Sequence, residues 1–75
     1  SSIVIDSIEI GSCVSVFALG SAHGVHLRGC QWGLDGETLQ PGTQGLNNKA
    51  TQSRIEFTVE EGAVLLCIEP IKVDP

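Results

Sequence analysis

Three side chains that ligate zinc stand close together: His23, His26 and Cys30, spaced H-x2-H-x3-C. A structural zinc site closes with four ligands, so this set would need Cys13 or Cys67 from another part of the fold. The C-x2-C pair that marks small zinc modules is missing. We therefore read His23 as a turn residue, His26 as a surface strand residue and Cys30 as part of the core, with no metal and no cofactor. A nucleophilic Cys30 would need a base or cation to lower its pKa. Arg28, two residues away on an extended chain, lies about 7 Å off, and no Asp or Asn stands out to orient His26. The carboxylate pairs Asp35/Glu37 and Glu60/Glu61 flank glycines in expected turns. Acid–base work needs burial to shift a pKa, and solvated turns do not supply it. The glycines from Gly20 to Gly36 lack the strand–loop–helix setting and the Lys of a phosphate-cradling loop. No catalytic set emerges, and the expectation is a protein that is not an enzyme.

The elements that would hold these residues are strands. Residues 2–10 read SIVIDSIEI, with apolar side chains at alternate positions and a change of phase at Asp6-Ser7, which predicts a bulge or tight turn there. Cys13 to Leu19, CVSVFAL, is apolar on both faces apart from Ser15. Val25 to Cys30 alternates, and the two segments, joined by the turn at residues 20–24, predict a hairpin. Leu34 to Glu37 reads as a turn and Thr38-Leu39 as a short strand. Arg54 to Glu60, RIEFTVE, alternates cleanly and predicts a half-buried antiparallel strand. Ala63 to Glu69, AVLLCIE, is again apolar on both faces. Pro70 ends it, and Ile71 to Val73 reads as a short edge strand. Residues 41–53 are polar and Gly-containing, and read as one extended loop or arm. No window shows a capped helical period. The prediction is a single all-β domain over residues 1–75: a small antiparallel β-sandwich or barrel of five to seven short strands.

Composition narrows the function classes. Nine Asp+Glu against four Lys+Arg give a net charge of −5. Nucleic-acid binders need the opposite balance, and Trp32, the only Trp, has only Arg28 near it instead of the interleaved cations of a base-stacking platform. Apolar residues make up 41% of the chain, too many for a disordered one. No apolar run approaches the roughly 20 residues of a membrane span. The first residues lack the basic stretch of a signal peptide, and the odd count of three cysteines favours free thiols. The expected location is a virion or the cytoplasm, not a secreted chain.

The stretches SIVID-SIEI and VSVFALGSAHGVHLRG, within residues 2–29, resemble the second and third strands of the carbon-storage-regulator family of RNA-binding proteins. The resemblance implies a β-hairpin. That family carries its basic residues on a strand ahead of this stretch and on a segment after it. Here the chain runs on from Gly29 into QWGLDGE, so no binding residue is carried over.

Two strands apolar on both faces are more than one small domain can cover. The expectation is therefore a structural or assembly protein, a homo-oligomer such as a trimer, of the kind that decorates or cements a viral capsid shell. In that reading Val14, Val16, Leu66 and Ile68 meet a second copy, while Trp32 and Leu46 reach the larger partner. The alternative is a small acidic binding module or inhibitor that mimics nucleic acid, with Glu56, Glu60, Glu61 and Glu69 as its acidic patch.

Overall fold

The computed structural model describes residues 1–41 and 46–70, with the side chains of Leu46 and Asn47 outside that description. Among the described residues there are seven strands and no helix. They are β1 (Ser2–Ile5), β2 (Cys13–Ala18), β3 (Ala22–Arg28), β4 (Leu34–Leu39), β5 (Leu46–Lys49), β6 (Ile55–Glu61) and β7 (Val64–Glu69). The all-β sandwich read from the sequence is the fold found. One sheet runs β1-β6-β3-β4 and the other β5-β2-β7, and all pairings are antiparallel.

Alternation supplies the core. On β6, Ile55, Phe57 and Val59 point inward, and on the neighbouring β3 so do Val25 and Leu27. Val14 and Val16 meet them from β2, at 0% and 2% exposure. Burying each such side chain contributes about 1.5–3 kcal/mol. The cover expected from a second subunit is thus provided for Val14 and Val16 by the opposite sheet of the same chain. The outer faces of β2 and β7 are only partly covered, with Ser15 8% exposed but Phe17 39% and Leu65 50% exposed.

Four local expectations change: Leu34 to Glu37, read as a turn, opens β4, and Ala22 to Gly24, read with His23 as part of a turn, open β3. β2 and β3 form no hairpin, because the chain crosses between sheets over residues 19–21 and each strand pairs elsewhere. That also removes the geometry on which the carbon-storage-regulator resemblance rested. Within the segment read as a loop or arm, residues 46–49 are β5, paired with β2 from Val16↔Leu46 to Cys13↔Lys49. The expected edge strand at Ile71 to Val73 lies outside the described residues. The phase change at Asp6-Ser7 is a turn, with Ser7 at φ +62°.

The two flanks of the sandwich differ. On one, the segment after β3 is stitched to β5 and its continuation. Gln31 N–H donates to the Lys49 carbonyl at 2.8 Å, Thr51 N–H donates to the Gly29 carbonyl at 2.9 Å, and Cys30 bridges Ala50. On the other, the edge strands β1 and β7 leave an open groove of about 510 Å³ whose lining includes Ile3, Ile5, Phe57, Val59, Val64 and Leu66 together with polar Ser1 and Ser2.

Candidate functional site

The stitched flank holds Trp32. β3 ends at Arg28, and Gly29 turns the chain with φ +96°. Its α-hydrogen side faces the Arg54 carbonyl so closely that a Cβ there would overlap it. This turn breaks strand alternation. Cys30 packs against the core instead of sharing a face with His26, and Trp32 emerges with 59% of its surface exposed.

The main chain of Trp32 is clamped by one side chain, Asn48 of β5, which is 4% exposed. Trp32 N–H donates to Asn48 Oδ1 at 2.9 Å, and Asn48 Nδ2 donates back to the Trp32 carbonyl. Lys49 N–H shares the same Oδ1 at 3.0 Å. The carboxamide thus does for the Trp32 peptide what a neighbouring strand would do. The result is an exposed indole on a fixed bed, a surface able to stack a flat heteroaromatic ring or to face a cation.

The outer face of the four-stranded sheet carries a second cluster. His26 lies between two carboxylates, with Nδ1 3.4 Å from Asp35 Oδ1 and Nε2 3.6 Å from Glu60 Oε2. His23 is apart from it, its Nδ1 3.4 Å from Thr38 Oγ1. Arg28 and Glu56 sit opposite one another across β3 and β6. Among the described residues no three of His, Cys, Asp and Glu are grouped to hold a metal ion. Burial pushes the Cys30 thiol above its ordinary pKa, which opposes a thiolate role. The guanidinium of Arg54 is raised by its 2.8 Å hydrogen bond to Asp6 and by that carboxylate's charge, at the protein surface.

The remaining expected site residues are dispersed. Leu66 and Ile68 are half-buried against the core. Leu46 lies in β5, and its side chain is outside the described residues. Glu56, Glu60 and Glu61 share β6, whereas Glu69 is on β7 in the other sheet, so the four do not make one patch. Asn48 was missed by sequence reasoning. An Asn in a polar segment gives no sign that it is buried, and only the strand pairing reveals it.

Comparison with solved structures places this fold among known ones. A thiamine pyrophosphokinase from Bacillus subtilis superposes with a TM-score of 0.82 at 18% identity, over 93% of this chain and 34% of that one. A thiamin pyrophosphokinase from Geobacillus thermodenitrificans gives 0.78 at 20% identity, over 96% of this chain and 34% of that one. The chain therefore spans about a third of the length of the proteins it resembles. No curated protein matches the sequence.

The family model described as "Thiamin pyrophosphokinase, vitamin B1 binding domain" matches residues 1–64. The chain belongs to that family. This overturns the reading as a capsid decoration or cement protein, its virion location, and its partners in a self-made trimer or a capsid shell. It likewise replaces the reading as an acidic inhibitor. The expectation of a protein with no part in enzymology gives way to membership of a domain family named for an enzyme. Among the described residues no helix is long and apolar enough to cross a membrane.

Proposed function

We propose that this chain holds the thiamin acceptor of a thiamin pyrophosphokinase, with the Trp32 indole as its aromatic contact. The observation that carries the reading is the family match over residues 1–64. Thiamin joins a flat aminopyrimidine to a thiazolium cation and ends in a hydroxyethyl arm. Both rings suit an exposed indole: the pyrimidine by offset stacking, the thiazolium by cation–π attraction worth about 0.5–2 kcal/mol. The net charge of −5 supports the same ligand, since an acidic domain draws in a cation. The balance that argued against nucleic acid is thus favourable for thiamin.

In the full reaction the thiamin hydroxyl oxygen would bond to phosphorus of the transferred pyrophosphoryl group. The bond from that phosphorus to the donor nucleotide would break, and the hydroxyl proton would leave. We assign to these residues only the binding and orientation of thiamin. Handling of the nucleotide is assigned to the portion of the relatives' length that this chain does not span.

The test is calorimetric titration of thiamin into the full-length polypeptide that carries residues 1–75. Saturable binding is expected, weakened at least about tenfold by Trp32→Ala, the loss of one aromatic contact of about 1.4 kcal/mol. Trp32→Phe is expected to retain most of the affinity. Absence of thiamin binding, or equal affinity in Trp32→Ala, contradicts the reading.

A further inference from the structure

We infer that Asn48 is a positioning residue: its buried carboxamide fixes the Trp32 peptide and thereby sets the direction in which the indole meets its ligand. The inference deepens the thiamin reading above and rests on it for the identity of the ligand.

Three observations carry it. First, Trp32 belongs to none of the seven strands, yet its N–H and its carbonyl are both engaged by the same side chain. Second, that side chain is 4% exposed while the indole it serves is 59% exposed, so the support is inside and the working surface outside. Third, the carboxamide is itself held. Its Oδ1 also receives Lys49 N–H at 3.0 Å, and Asn48 sits opposite fully buried Val14 in the β2–β5 pairing. Only a side chain carrying an acceptor and an N–H donor on one short stem meets both groups of a peptide at once. Asp offers acceptors without the donor, and would set a charge against the Trp32 carbonyl. Leu, though near in volume, would strand three backbone groups. Precise binding geometry needs such support behind the contacting residue, because small misplacement of an aromatic contact is enough to lose affinity.

Trp32 is the only Trp in the chain, so its fluorescence reads the site directly. The experiment compares wild type, Asn48→Asp and a control, Val59→Ala, which trims the core on β6 away from the Gly29 turn and the Trp32 segment. In ligand-free protein, acrylamide quenching and fluorescence anisotropy of Trp32 are measured first, and thiamin is then titrated. Where other parts of a longer polypeptide contain Trp, the matching Trp32→Phe protein supplies the background. Asn48→Asp is expected to raise the quenching constant, lower the anisotropy and weaken thiamin binding about tenfold or more. Val59→Ala, even with a comparable fall in Tm, is expected to leave both Trp32 signals and the affinity unchanged. A wholly structural Asn48 would move the two variants together.

Should Asn48→Asp fail to fold, amide hydrogen exchange on wild-type protein decides. The Trp32 amide is expected to be protected like a strand amide although it lies outside the strands. Exchange at the rate of an open loop overturns the inference, as does wild-type quenching and affinity in Asn48→Asp. If the wild type binds no thiamin, the thiamin reading falls, and the role of Asn48 is decided by quenching and exchange alone.

Discussion

Replacing Gly29 with Ala tests how the Trp32 segment is held. Gly29 has φ +96°, a conformation that costs an L-residue about 1–3 kcal/mol. Its added Cβ would also overlap the backbone carbonyl of Arg54, next to fully buried Ile55. A backbone atom cannot swing aside as a flexible side chain can, so the segment from Gly29 to Trp32 must shift. Overpacking of this kind adds about 1–3 kcal/mol. Together the two terms give a loss of about 2–6 kcal/mol. The total stability of a 75-residue chain is on the order of 4–11 kcal/mol. Each kcal/mol moves Tm by about 4–8 °C at this size, so Gly29→Ala is expected to lower Tm by at least about 8 °C. The comparison is Gly20→Ala. A methyl group added at Gly20 would meet no heavy atom within 4 Å, and the residue has no left-handed φ. There the smaller unfolded ensemble is expected to leave stability unchanged or raised by up to about 1 kcal/mol. Urea denaturation of the two variants beside wild type is the assay. Equal midpoints for Gly29→Ala and Gly20→Ala would refute the account of this turn.

Two other outcomes follow from burial. Leu27→Ala, at a position 1% exposed in the centre of the larger sheet, is expected to cost about 2–5 kcal/mol, and Leu65→Ala, 50% exposed, under about 1 kcal/mol; similar losses on thermal melting would contradict the core assignment. Burial raises the Cys30 pKa in the folded chain, so the unfolded chain ionises this thiol first, and the stability it contributes holds below the ordinary thiol range and is lost as pH rises through the folded value. Wild type is therefore expected to lose more stability between about pH 8 and pH 10 than Cys30→Ala does, and identical alkaline slopes in urea melts would sink this.

The strands were legible where one face is polar. Ile55 to Glu61 is the clear case: a hydrophobic period of two leaves only the register open. β2 and β7 misled for a physical reason. Apolar residues on both faces say that water is disfavoured on both, not that a neighbour covers both, and the structure leaves Phe17 and Leu65 exposed. Such strands suit a self-assembling shell protein equally well, and membership of the thiamin-binding family excludes that reading. Trp32 stands out by residue type alone, and only the structure shows it 59% exposed on a segment held by Asn48. Asn48 could not be found, because its role depends on β5 lying beside a segment 16 residues earlier in the chain. The tie to thiamin was also illegible, since no local motif of charged or nucleophilic residues carries it.

The central claim is that thiamin rests on the Trp32 surface. A crystal structure of the full-length polypeptide with thiamin tests it most directly. The account predicts ring density within stacking distance of the Trp32 indole, above the segment clamped by Asn48. Thiamin seated in the groove between β1 and β7, or on the His26 face, with Trp32 free, would contradict it.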